Sequence, residues 1–192
     1  MTNVPCGLQA ADGRAPGTLR LRPAVAADVP AIAGVCVRAT RTAYVPLVGE
    51  AYVARVVAHW YGRERLLREV APSPQWFGFT VAELDGTIAG VAGTGRTADP
   101  STCELFTLYV DPDRQRRGVG RSLVAHAARQ ARQAGASRLL AAVMPGNAPA
   151  IAFYERCGFR AAGDRPIYAP HGAEGGPDVA LVYVVTFTQL ET

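Results

Sequence analysis

The sequence predicts one α+β domain with a mixed sheet, on three observations. At 192 residues the chain suits a single domain that can bury a core without metal or disulfide. Strand-like and helix-like patterns follow one another with no internal repeat or linker. Two antiparallel neighbours are then joined to a strand–helix–strand crossover, which is expected to be right-handed.

Thr18 to Arg22 alternates as a short strand. Asp28 is placed to cap a helix carrying Ile32, Val35, Cys36 and Ala39 at helical spacing. A second helical stretch runs from Glu50 to Val70, with Val53, Val56, Val57 and Trp60 on one side, until Pro72 and Pro74 stop it. Trp76 to Glu83 and Thr87 to Thr94 read as strands hinged at Asp85-Gly86, a dipeptide suited to the two left-handed positions of a tight hairpin turn. Glu104 to Val110 is β-rich and empties into Asp111-Pro112.

From Val119 to Ala134 the apolar positions Leu123, Val124, Ala127, Ala128 and Ala131 recur at helical spacing, and Gly135 supplies the stop. Leu139 to Met144 is a buried strand. Asn147 caps a helix to Cys157, with Pro149 tolerated in its first turn. Phe159 to Ala162 is extended, Pro166 to Pro177 is a long loop, and Val179 to Thr188 is a last strand. Residues 1–17 read as a flexible tail without the features of a secretory signal, and residues 18–192 as the domain.

Composition removes several mechanisms. All 20 basic residues are arginine, so there is neither a Schiff-base lysine nor a phosphate-loop lysine. The alanine, arginine, glycine and proline usage reads as GC-rich bacterial coding. Cys6, Cys36, Cys103 and Cys157 lack metal-ligand spacing and are expected to be reduced thiols in a cytoplasmic protein, with no metal. No apolar run approaches the roughly 18 residues of a membrane span, so no membrane partner is expected. The net charge of +4 is modest, but from Arg114 through Tyr154 there are seven arginines and no acid. An anionic partner is therefore indicated locally.

The stretch DPDRQRRGVGR, residues 111–121, lies between a strand and a helix. A helix start offers unpaired N–H groups and the positive end of a dipole. Gly118 and Gly120 allow phosphate to approach the backbone, and Arg116, Arg117 and Arg121 can add paired hydrogen bonds. A dinucleotide fingerprint is ruled out by Leu123 in place of a third glycine and by Leu139-Leu140-Ala141 where an acid belongs. A nucleotide-triphosphate loop is ruled out by the missing Gly-Lys.

Taken together, Leu108-Tyr109-Val110-Asp111-Pro112, then Gln115-x-x-Gly118-x-Gly120, then Asn147 and Tyr154 before Cys157-Gly158-Phe159 resemble the GCN5-related N-acetyltransferase (GNAT) superfamily. The resemblance runs from about Thr18 to Thr188 and implies a GNAT-like mixed, mostly antiparallel central sheet flanked by helices. It also implies that the loop from Gln115 binds the diphosphate of acetyl-coenzyme A through Arg116, Arg117, Gly118, Val119, Gly120 and Arg121. Leu108, Tyr109 and Val110 match the strand whose backbone pairs with the pantetheine arm and aims an N–H at the thioester carbonyl. Asn147 matches the asparagine near the pantetheine, and Tyr154 the tyrosine near the sulfur.

The expected reaction is direct acetyl transfer in a ternary complex to a primary amine of a small molecule. A protein N-terminal or lysine acetyltransferase is the enzymatic alternative. Acyl transfer develops negative charge on a carbonyl oxygen, which a fixed backbone donor stabilises. The leaving thiol, of pKa about 8.5, needs a proton, for which Tyr154 is the candidate donor. An amine of pKa about 10.4 must lose one, for which Glu104 is the candidate base, with Glu50 and His171 as weaker ones.

Tyr44 and the loop around His171 are expected to form opposite walls of the acceptor site. Tyr52, Trp60 and Tyr61 are expected to pack the first two helices, and His59 and His126 to be structural or solvent-facing. A coenzyme A sensor without turnover and a nucleic-acid-binding module are the readings of other classes. The second is disfavoured because Arg129 and Arg132 alternate with alanines rather than aromatics, so no nucleic acid partner is expected. Dimers are common among similar proteins, and a homodimer is the oligomer the resemblance suggests.

Overall fold

The computed structural model describes residues 18–168 and 175–187. The predicted tail, His171 and the predicted end of the last strand at Thr188 lie outside them. Seven strands form one sheet in the order β1-β2-β3-β4-β5-β7-β6. They are β1 (Leu19–Pro23), β2 (Trp76–Leu84), β3 (Thr87–Arg96), β4 (Thr102–Val110), β5 (Arg138–Val143), β6 (Arg160–Pro166) and β7 (Val179–Thr186). Every neighbouring pair is antiparallel except β4 with β5.

The helices are α1 (Val29–Val48), α2 (Glu50–Trp60), α3 (Arg63–Glu69), α4 (Val119–Gln133) and α5 (Ala148–Arg156). None among the described residues is long and apolar enough to cross a membrane. Strand alternation assigns them to faces. Val81 and Val91 point to the side where Ile32, Val35 and Cys36 of α1 are buried. Their neighbours Ala82 and Ala92 point to the side of Leu123, Val124 and Ala127 of α4, which Tyr154 of α5 joins. Close approach of α4 depends on Gly90 of β3, where a Cβ would stand 2.8 Å from Cγ1 of Val119.

Local signals hold at the β2–β3 turn, where Asp85 and Gly86 both take positive φ, 55° and 75°. They hold at α5 too, where Asn147 Oδ1 accepts from the Ala150 N–H at 3.3 Å.

Two expectations are corrected. Asp28 does not cap α1. Its carboxylate accepts from Arg22 at 2.6 and 2.9 Å and from the Val25 N–H at 2.8 Å, because a guanidinium from β1 binds a carboxylate more strongly than a helix N–H does. The helix expected from Glu50 to Val70 is two helices. Gly62 is extended at φ −64°, ψ 143°, and glycine favours helix least among residues other than proline. The break turns Tyr61 inward, where its hydroxyl donates to Tyr109 Oη at 2.8 Å.

Candidate active site

The site begins where two parallel strands part. β4 and β5 pair over three residues only, Thr102 with Arg138, Cys103 with Leu139 and Glu104 with Leu140. Beyond Glu104, β4 stays paired with β3 as far as Val110 but leaves β5. A strand bonded on one side turns alternate N–H and C=O groups toward the gap on the other. At the fork β4 also carries a bulge, because Gly93 faces Thr107 while Thr94 faces Leu105, which leaves Phe106 unpaired and re-aims the strand. Glu104, expected at the start of this strand, stands instead at the fork itself.

On one side of the fork a cleft of about 460 Å³ reaches the turn before α4. Gln115, Arg116, Gly118, Gly120 and Arg121 border it. The turn is set by left-handed residues, Arg116 at φ 60° and Gly118 at φ 82°. The first helical bond runs from the Ser122 N–H to the Gly118 carbonyl at 3.0 Å, so the N–H groups of Val119, Gly120 and Arg121 have no main-chain acceptor among the described residues. These orphan donors and the helix dipole fit an anionic phosphate group. Asp111 holds the turn by accepting from the Asp113 N–H at 3.1 Å and from Arg38 of α1.

Two loop residues contribute differently from the others. Arg117 is turned to Asp85, 3.2 Å away, and does not border the cleft. Val119 is 1% exposed, packed on β3, and offers only its N–H. Arg156 of α5 borders the cleft as well and was not singled out from the sequence, since a lone arginine at a helix end carries no signal.

Leu108, Tyr109, Val110, Asn147 and Tyr154 line the same cleft nearer the fork. Tyr154 is buried, which pushes its phenol well above the ordinary value and keeps it protonated. A phenol in that state can donate a proton and not accept one.

On the other side of the fork lies a cavity of about 700 Å³. Tyr44, Tyr109, Leu105, Phe106 and Ala142 border both spaces, so they meet at the fork. The cavity is walled by aromatic rings, including Tyr52, Trp60, Tyr61, Trp76 and Tyr168. Tyr52 packs between α1 and α2 as expected, beside Tyr44, Val45 and Val48, and Tyr61 packs against the α1 side of the sheet, so these rings serve the core and the cavity wall together. The Trp76 indole N–H donates to the Glu69 carbonyl at 2.6 Å, tying β2 to the end of α3.

Glu104 is the acid that reaches this cavity from the fork, and it is 4% exposed. Burial raises its pKa, and the guanidinium of Arg165, bonded to Oε1, works against the rise. Glu50 borders neither space. It pairs with Arg41 at 2.6 Å on the surface. His59 and His126 lie beside arginines, 3.3 Å from Arg65 and 3.4 Å from Arg129. No group of three or more His, Cys, Asp or Glu side chains that could hold a metal ion occurs among the described residues.

A sheet forked between parallel strands, with orphan donors at a helix start on one side and a carboxylate in an aromatic cavity on the other, is the plan of an acyltransferase. The chain belongs to the Acetyltransferase (GNAT) family, whose profile matches residues 45–159. The family is one of acyltransferases that use acetyl-coenzyme A as donor. Over 86 residues the chain is 41% identical to the ribosomal protein bS18-alanine N-acetyltransferase of Escherichia coli strain K12, covering 45% of this chain and 57% of that protein. Over 98 residues it is 37% identical to the streptothricin acetyltransferase of Streptomyces lavendulae, covering 50% and 52%. It thus spans just over half the length of these curated relatives. The crystal structure of the PaiA N-acetyltransferase of Thermoplasma acidophilum in complex with coenzyme A shares the fold, with a TM-score of 0.74 at 20% identity over 88% of this chain and 99% of that one.

Proposed function

We propose that the protein transfers the acetyl group of acetyl-coenzyme A directly to the primary amine of a small molecule. The observation that carries this reading is the meeting of the two spaces at the fork, with Tyr154 on the cleft side and Glu104 on the cavity side. Acetyl-coenzyme A supplies the acetyl group as a thioester. The orphan N–H groups of Val119, Gly120 and Arg121, with Arg116 and Arg121, hold its diphosphate. The free edge of β4 from Leu108 to Val110 takes the pantetheine arm beside Asn147.

Glu104 receives a proton from the entering ammonium, and the freed amine attacks the thioester carbonyl carbon. A β4 backbone N–H at the bulge stabilises the charge developing on the carbonyl oxygen. As the carbon–sulfur bond breaks, Tyr154 gives its proton to the departing sulfur, the nitrogen of the new amide loses its second proton, which restores the Tyr154 phenol, and Glu104 releases the first to solvent. A cavity of about 700 Å³ is of the size that encloses small organic molecules. Arg165, Ile167 and Tyr168 form part of the cavity wall and lie beyond the matched residues 45–159.

A peptide N-terminus is the second reading, favoured by the likeness to the bS18-alanine enzyme. The deciding experiment measures acetyl-coenzyme A-dependent thiol release over amino acids, polyamines, aminoglycosides, other amine drugs and short peptides, with product masses. Acetylation of a small amine supports the first reading, and acetylation of peptides alone supports the second. Coenzyme A binding with no product from any of them points to a sensor.

A further inference from the structure

The acceptor cavity is bordered by two carboxylates, Glu69 and Glu104, and three guanidinium groups, Arg65, Arg68 and Arg165. Both carboxylates are engaged. Glu69 Oε1 lies 2.7 Å from Arg65 Nε, and Glu104 Oε1 accepts from Arg165 Nη2. Arg68 has no counter-ion among the described residues. Among the described residues an entering polycation therefore meets no unpaired carboxylate bordering the cavity and an excess of positive charge.

Arg165 is only half satisfied. Its Nε and Nη1 are shielded from water and have no acceptor among the described residues, while one face of the guanidinium lies 3.8 Å from the centre of the Tyr168 ring. Buried donors without partners are rare because they forfeit hydration. The carboxylate that binds Arg165 is also the one an incoming ammonium must reach. A simple amine that takes Glu104 leaves Arg165 buried without a counter-charge, which is strongly unfavourable. A molecule that brings its own carboxylate replaces both halves of the pair at once, and the planar guanidinium suits a carboxylate in two-point contact.

We propose that the acceptor is an amino carboxylate, a zwitterion whose ammonium faces Glu104 and whose carboxylate is held by Arg165. This deepens the reading of the cavity as the acceptor site and rests on it. The aromatic walls favour an apolar or flat side chain, and Arg68 disfavours polycations.

The only two tryptophans of the chain, Trp60 and Trp76, both border the cavity, so tryptophan fluorescence reports binding there without turnover. The full chain is titrated with phenylalanine, with phenylethylamine, which lacks only the carboxylate, and with spermidine. Phenylalanine is expected to bind about tenfold or more tightly than phenylethylamine, the usual size of a charge-assisted bond, and spermidine more weakly than either. In Arg165→Gln the gap closes, and in Arg165→Lys part of it returns.

Equal binding of phenylalanine and phenylethylamine, no saturable change with either, or tighter binding of spermidine overturns the proposal. An unchanged gap in a folded Arg165→Gln protein also overturns the role of Arg165. If that variant does not fold, the three-ligand comparison on the native chain decides. A binding gap without acetylation of any amine would overturn the catalytic reading and leave the cavity as a binding site for an amino carboxylate that is not an acceptor. Acetylation without the gap would do the reverse.

Discussion

Gly176 lies against the ring of Tyr52 so closely that a Cβ on it would stand 2.1 Å from Cε2 and 2.7 Å from the hydroxyl oxygen. Tyr52 is 3% exposed and forms part of the acceptor cavity wall, so the segment before β7 closes over α2 through a contact only glycine permits. In Gly176→Ala either the ring or the segment must move, an overpacking worth about 1–3 kcal/mol. A lower melting temperature and a raised KM for the amine, with the KM for acetyl-coenzyme A unchanged, are expected. A variant with native melting and native KM for the amine would show that the contact yields without consequence.

Gly120 faces α5, and a Cβ there would be 3.2 Å from two atoms of the Phe153 ring. Gly120→Glu brings a carboxylate to the helix start, where the dipole and orphan N–H groups favour an anion already. Coenzyme A affinity, measured by calorimetry, should fall by at least about tenfold, the scale of one lost charge-assisted bond. Retained affinity would remove the loop from the diphosphate site.

Tyr154→Phe keeps the ring that packs on Phe159, with centroids 5.2 Å apart, and removes only the hydroxyl. Turnover should drop by about 10²-fold or more, the usual contribution of a general acid, while coenzyme A affinity stays as it is. Because burial holds the phenol protonated, this loss should be the same across neutral pH. Native turnover in the variant would assign the proton to another donor.

Glu104 can accept a proton only when ionised. Burial raises its pKa and Arg165 opposes the rise, so kcat at saturating amine should fall as pH decreases through a value above the ordinary carboxylate range. Removing the opposing charge in Arg165→Gln leaves burial unopposed and moves that limb to higher pH. A limb that stays in place in a folded variant would mean that Glu104 is not the group titrating.

The sequence made legible what depends on neighbours a few positions apart. Asp85-Gly86 chose its turn because both residues tolerate positive φ, Asn147 capped its helix, and the apolar spacing of Leu123, Val124, Ala127 and Ala131 matched the buried face of α4. The phosphate-loop reading rested on the same kind of local fact, glycines and arginines at the start of a helix. Asp28 shows the limit, because the cap it promised locally lost to a guanidinium from another element.

The parting of β4 from β5 had no such signal. β5 pairs with β4 over three residues and with β7, from much later in the chain, over six, a pattern of long-range pairing that neighbours in sequence do not show. Nor could composition show that Tyr52, Trp60 and Tyr61 would wall a cavity, since the same rings pack helices equally well. The pair between Glu104 and Arg165 joins residues 61 positions apart. By itself the sequence determined the fold class, the helix start suited to phosphate and the candidate acid and base. Only the tertiary structure decided what surrounds the base and which charges an acceptor must bring, because burial and ion pairing depend on which strands become neighbours in space.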